Sequence, residues 1–262
     1  MRGFLRVFFT PIGVCVNKVE LSLRLKCIAD MVSPGTVVFD VGCDHGFLSI
    51  YLVESGIADS AVALDVVKGP LKAAAEHVKQ FGLEGKIECR LSDGLHNIAT
   101  EELRQINNKT LIIAGMGGPL ILSILSECPD VRDMFDEIIV GPQSKIEEFR
   151  IGLEQLGLAI IDENMILEDG KYYQILKMSK SSVKSMQSLS CFSEDRLSAR
   201  AENKYGSILL AGKHPVLKEY LEFEYGVLQQ VIANLDANVH SDRYEQVCED
   251  LEVNRMAFDM LK

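Results

Sequence analysis

The chain has 262 residues, with 27 Lys+Arg against 38 Asp+Glu, a formal net charge of −11, 47% apolar and 25% charged residues. That is the profile of a globular protein; no run of about 18 uncharged apolar residues occurs, which excludes a membrane-spanning helix, and the acidic balance excludes polyanion binding by bulk charge, though not by a local patch. Seven scattered cysteines without a Cys-x-x-Cys pair support neither a disulfide framework nor a zinc site, so no metal is expected and a reducing cytosol is the expected compartment.

Residues 1–18 carry three basic and no acidic residues. Arg6 and Pro11 interrupt their apolar stretch and no small-x-small site follows, so a poorly ordered extension is expected rather than a secretion signal. A helical pattern then begins near Glu20, with Leu21, Leu25, Ile28 and Val32 on one face, and Pro34-Gly35 stops it. Short β-branched runs at 36–41, 61–65, 86–91, 110–114 and 137–140 alternate with helical stretches at 47–55, 70–81, 101–106, 119–126 and 145–156. The runs are continuously apolar, which predicts strands buried on both faces in a parallel sheet covered by helices. Two further strand-like runs, 158–167 and 171–178, flank Glu168-Asp169-Gly170, a hairpin turn signal. A parallel α/β sheet closing on an antiparallel hairpin predicts a Rossmann-like sheet of the class I methyltransferase type over residues 19–180. Six serines mark 179–191, and 181–191 reads as a linker. From 192 to 262 the pattern is helical: Leu217, Leu221, Leu228, Val231 and Leu235 form one stripe and Tyr244, Val247, Leu251, Phe258 and Leu261 another, which predicts an antiparallel, coiled-coil-like pair.

In such a sheet ligands bind beyond the carboxyl ends of the strands, where strand order reverses. The first strand of the series runs into Asp40-Val41-Gly42-Cys43-Asp44-His45-Gly46. The spacing is not Gly-x-Gly-x-x-Gly, and Asp44 in mid-turn would repel a pyrophosphate and attract a cation, so a cationic ligand without phosphate fits, S-adenosylmethionine being one. The second strand ends at Asp65, an acid placed to accept from both ribose hydroxyls. The third ends at Ser92-Asp93-Gly94, where a carboxylate can take an adenine amino group. The fourth ends at Ala114-Gly115-Met116-Gly117-Gly118, leaving space for a substrate above the methyl donor. Loops are rich in Asp and Gly in any protein, so the argument rests on four such tips in succession.

The stretches 21–32, 40–48, Val66-Val67-Lys68-Gly69-Pro70, Asp93-Gly94-Leu95 and 113–118 resemble the bacterial tRNA (adenine(22)-N(1))-methyltransferase family over residues 19–262. Gly42-Cys43-Asp44-His45 and Ile113-Ala114-Gly115-Met116-Gly117-Gly118 are its most specific pieces. The resemblance implies a Rossmann-like catalytic domain with a C-terminal helical domain, S-adenosylmethionine as donor and N1 of a tRNA adenine as acceptor. It implies donor contacts at Arg24, Asp40, Gly42, Cys43, Asp44, Asp65, Val66, Asp93, Gly94, Ala114 and Gly115. The chain departs from the family pattern with Asp65 in place of Glu, with Val140-Gly141-Pro142-Gln143 in place of Leu-Gln-Pro-Asn, and without a proline after the first motif; Gln143 borders the expected base site.

Adenine N1 already presents an in-plane lone pair, so proximity and orientation are expected to supply most of the rate. Asp44 either stabilises the charge developing on the base or holds the donor's ammonium. His45 either stacks on the base or is a turn histidine, and Met116 either packs on the base or fills core. N1 lies on the pairing edge, so an unpaired or extruded adenine is required. Arg24, Lys26 and Lys68 are cations for the tRNA or ordinary solvated surface, and the helical domain recognises tRNA or dimerises. The competing readings are a methyltransferase for a small molecule or protein, and a catalytically silent donor-binding scaffold.

Overall fold

The computed structural model describes residues 4–9, 15–180, 196–235 and 241–262; the 181–191 linker lies outside the described residues. The strands among the described residues are β1 (Phe4–Phe9), β2 (Cys15–Glu20), β3 (Thr36–Val41), β4 (Ala58–Asp65), β5 (Ile87–Leu91), β6 (Lys109–Ala114), β7 (Glu137–Gly141), β8 (Leu158–Glu168) and β9 (Lys171–Lys180). Helices α1 (Leu23–Asp30), α2 (Phe47–Glu54), α3 (Lys68–Gln80), α4 (Thr100–Arg104), α5 (Gly118–Glu127), α6 (Pro129–Arg132) and α7 (Ile146–Gln155) surround them.

Seven strands form one sheet in the order β5-β4-β3-β6-β7-β9-β8, with β9 antiparallel to both its neighbours and the others parallel. The expected parallel sheet closing on a hairpin is therefore present. Its central strands β3, β4, β6 and β7 are largely apolar because alternate side chains enter different cores: Val38, Ala63, Ile112 and Ile139 join α1–α3 on one face, whereas Phe39, Leu64, Ile113 and Val140 join α4–α7 on the other.

Residues 4–9 and 15–20 pair as a two-stranded antiparallel ladder, running from Phe4 opposite Glu20 to Phe9 opposite Cys15. Pairing between two separate segments leaves no short-range periodicity of the helical kind. The first helix consequently starts later than the apolar stripe suggests. Ser22 caps it, its hydroxyl accepting from the Leu25 N–H at 3.4 Å. The single turn α6 carries no stripe and escapes the sequence reading.

The outer half of the β8–β9 hairpin projects beyond β7 and meets the C-terminal helices α8 (Arg196–Tyr205), α9 (Ser207–Ala211), α10 (Pro215–Asn234) and α11 (Ser241–Met260). Met165 of β8 shares a core with Tyr205, Leu209, Leu217, Leu221, Val253 and Ala257. Asn254 donates to the Leu221 carbonyl and Lys213 to that of Lys262, so α10 and α11 run antiparallel as expected. The first expected stripe is buried at one end only, with Leu217 and Leu221 buried and Leu228, Val231 and Leu235 half-buried; of the second only Val247 is buried, and Val253, Asn254 and Ala257 complete the buried face of α11.

A buried polar cluster joins the two parts. Arg150 of α7 is ion-paired with Glu163 of β8, and its Nη2 donates to Gln174 Oε1 of β9 at 2.6 Å. Glu163 Oε2 also accepts the Ile208 N–H at 3.0 Å, which fixes the start of α9 against the sheet. Gly206 leaves room for this arrangement, since a Cβ there would lie 2.6 Å from Glu163 Oε2.

Candidate active site

Chain order moves outward from β3 through β4 to β5, then restarts on the other side at β6, so the switch point lies between β3 and β6. A cleft of about 310 Å³ opens there, lined by Leu25, Asp40, Cys43, Asp44, His45, Phe47, Leu48 and Ala114. The sequence reading had assigned Asp40, Cys43, Asp44, His45 and Ala114, and the fold brings these five to one place. Leu25, Phe47 and Leu48 were read only as helix residues. Leu25 reaches the cleft because α1 packs across the sheet, a long-range placement with no local signal.

The turn after β3 is held by its neighbour strand. The Leu64 carbonyl of β4 accepts both the Gly42 and the Cys43 N–H, at 2.8 and 3.0 Å. Gly42 has φ +76°, the left-handed conformation that favours glycine; a Cβ there would meet only Met116 Cε, the far end of a flexible side chain. Asp44 also has positive φ, +53°, an uncommon conformation for a residue with a Cβ. Asp65 supports it, its Oδ2 accepting the Asp44 N–H at 3.2 Å while Oδ1 accepts the Val67 N–H at 2.8 Å. The acid at the tip of β4 therefore fixes the turn at the tip of β3, and its remaining lone pairs are available to a ligand's hydroxyls.

Asp40 is 3% exposed and accepts the Ser49 hydroxyl at 2.9 Å. Burial pushes its carboxyl up to about 6, against the help of that hydrogen bond, and the charge of Asp65 adds to the rise. Burial likewise pushes the Cys43 thiol up, with the neighbouring aspartates adding to it, so the thiol is protonated at neutral pH. His45 is 46% exposed in its side chain, with Nε2 3.6 Å from Asp44 Oδ1.

One strand further out, the Ser92 N–H donates to the Asp65 carbonyl at 3.0 Å and carries the exposed Asp93 and the buried Gly94 beside the β4 tip, next to the exposed Val66. On the other side the loops after β6 and β7 are tied together. The Gln143 N–H donates to the Met116 carbonyl at 2.9 Å and the Gly118 N–H to the Ser144 carbonyl at 3.0 Å. A Cβ on Gly118 would lie 2.8 Å from that Ser144 oxygen, so the glycine pair lets these loops close on each other. Gln143 thereby borders Met116.

Arg24 sits apart from this group. Its guanidinium lies over the Tyr173 ring at 5.1 Å, with Nε 4.0 Å from Glu168 Oε2, and Nε and Nη1 are buried with no hydrogen-bond partner. Lys26 pairs with Asp30 on α1, and Lys68 is exposed at the start of α3. Among the described residues no cluster of three His, Cys, Asp or Glu could hold a metal ion, and no helix is long and apolar enough to cross a membrane.

Two carboxylates and no Lys or Arg line the cleft, so it suits a cationic ligand and disfavours a phosphate. With the switch-point geometry, this is the site of a donor-dependent group-transfer enzyme. The methyltransferase domain family matches residues 21–176, and the chain belongs to it. It is 29% identical to the tRNA (adenine(22)-N(1))-methyltransferase of Bacillus subtilis (strain 168) over 248 residues, 93% of this chain and 99% of that one. Among solved structures, Streptococcus pneumoniae Sp1610 in complex with S-adenosyl-L-methionine superposes with a TM-score of 0.75 at 29% identity, over 91% of this chain and 99% of that one. M. capricolum TrmK in complex with S-adenosyl-homocysteine superposes with a TM-score of 0.75 at 26% identity, over 92% and 99%.

Proposed function

We propose that this protein transfers a methyl group from S-adenosylmethionine to N1 of adenine 22 in tRNA. The observation that carries this reading is the convergence of the β3, β4 and β6 tips on an acidic, phosphate-excluding cleft, within a chain that follows a tRNA (adenine(22)-N(1))-methyltransferase along almost its whole length.

The bound donor supplies an electrophilic methyl group on a sulfonium. Asp65 accepts from the ribose hydroxyls, supported by its position at the β4 tip with both oxygens already oriented by backbone N–H groups. Asp93, Gly94 and Val66 border the adenine, and Gly42 and Cys43 let the backbone approach the methionine part. Asp40 and Asp44 compensate its positive charge. Arg24 is the candidate for its carboxylate, supported by two buried guanidinium nitrogens without partners. Ala114, Gly115 and Met116 flank the reacting centre. N1 needs no deprotonation before attack, so these residues act mainly by orientation, with effective molarities of about 10⁵–10⁸ M open to a well-aligned pair. As the methyl moves, positive charge passes from sulfur to the base, and Asp44 remains beside it. The pairing edge must be free, so the adenine enters unpaired or extruded. Lys26 and Lys68 on the rim and the C-terminal helices meet the rest of the RNA, and a tRNA substrate places the enzyme in the cytoplasm.

The test is incubation with methyl-labelled donor and unmodified bacterial tRNA, followed by nucleotide mapping. Label at N1 of adenine 22 is the expected result. Label confined to small molecules or protein, or donor binding without transfer, refutes the assignment.

A further inference from the structure

Three aromatic rings cluster beside the cleft, and the roles above use none of them. His45 and Phe47 both line the cleft, and His77, in the last turn of α3, stacks on Phe47 with ring centroids 4.6 Å apart and planes 22° apart. His45 completes the group at 6.0 Å from Phe47 and 5.8 Å from His77, tilted by 32° and 44°. His77 Nδ1 lies 2.9 Å from the His45 carbonyl oxygen, which fixes Nδ1–H as donor and ties the α3 ring to the turn. The Phe47 and His77 rings are half-buried, Phe47 packing against the core on its inner side, and His45 is exposed, so the group keeps an accessible outer face beside the cleft.

We infer that Phe47 and His77, with His45, form a stacking platform that positions the extruded target base. This inference rests on the reading under Proposed function. The adenosine end of the donor is already committed to the β4 and β5 tips, at Asp65 and Asp93, and its methionine end has no π-face. The acceptor adenine is the remaining flat ring, and bases taken out of a stack are held on aromatic and imidazole faces. The platform also suits the product: methylation leaves the purine cationic, and an aromatic face attracts a cation.

The experiment compares Phe47→Leu, Phe47→Tyr and His77→Gln with the wild type in tRNA methylation, with donor affinity measured separately by calorimetry. Phe47→Leu is expected to lower kcat/KM for tRNA on the order of 5- to 150-fold, chiefly through KM, with donor Kd weakened by a much smaller factor because Phe47 also lines the donor cleft. Phe47→Tyr keeps the ring and is expected to restore wild-type kcat/KM within a few-fold. His77→Gln, on the protein's surface, is expected to raise KM in the same direction. Wild-type kcat/KM in both ring-deleting variants overturns the platform, as does a donor Kd that weakens by the same factor as kcat/KM, or a Tyr variant as impaired as the Leu variant. Wild-type protein that transfers no methyl to tRNA refutes the platform together with the proposed function, whereas normal wild-type transfer with unimpaired ring variants refutes the platform alone.

Discussion

Replacing Asp40 by Asn tests the electrostatic account of the cleft. The carboxyl rises from 3.8 in the unfolded chain to about 6 in the folded protein, because burial disfavours its charge. At 1.36 kcal/mol per unit, ionised Asp40 therefore costs the donor-free protein about 3 kcal/mol. A carboxyl raised on folding costs nothing below 3.8; the cost grows as pH rises to about 6 and is constant above it. Asp40→Asn keeps an acceptor for the Ser49 hydroxyl but leaves an amide donor to satisfy, at roughly 1–3 kcal/mol. The variant should therefore be as stable as the wild type or up to about 2 kcal/mol more stable at pH 7, with that advantage fading towards pH 4. Chemical denaturation at several pH values measures this. Donor binding should show the complementary trend. A cationic donor favours ionised Asp40, so wild-type affinity should climb by up to about tenfold per unit from pH 5 to 6 and level off above pH 7. Calorimetry in buffers of different ionisation enthalpy should register proton release near pH 6. Asp40→Asn should bind more weakly at pH 7 and lose this component. A wild-type profile flat from pH 5 to 7, or one unchanged in the variant, would refute the reasoning.

Asp65→Ala removes the acceptor for the Asp44 and Val67 N–H groups as well as the ribose contact, so donor affinity should fall by at least about a hundredfold, from hydrogen bonds to a charged group at roughly 1.5–3 kcal/mol each; unchanged binding by calorimetry would mean the pocket is elsewhere. In Gly42→Ala the new Cβ meets Met116 and the left-handed backbone costs about 1–2 kcal/mol; a Tm drop with loss of donor binding is expected, and an unaltered Kd would contradict the close-approach argument. Glu163→Ala leaves the Arg150 charge buried beside Gln174 and should destabilise by about 3–5 kcal/mol in denaturant titration. A loss below about 1 kcal/mol would show that the cluster does not hold the helical domain to the sheet.

The strand tips were legible in the sequence because the fold constrains them locally. A strand between two cores is apolar along most of its length, as 37–39 and 111–114 are, and the end of that run marks where the turn residues begin. Gly42, Asp44 and Asp65 could thus be assigned from their place after such runs. The late start of α1 and the β1–β2 ladder were not legible, because pairing between 4–9 and 15–20 is a contact across a loop.

The sequence by itself determined the alternating sheet, the helical C-terminal part and the acidic character of the turn after β3, since burial on two faces and turn chemistry are written into neighbouring residues. Only the tertiary structure decided that Ser49 bonds Asp40, that Asp65 supports the Asp44 backbone 21 residues away, and that His77 of α3 stacks on Phe47 of α2. The physical reason is that these depend on how helices cross a twisted sheet and which strands lie side by side, and that is fixed by packing of the whole chain.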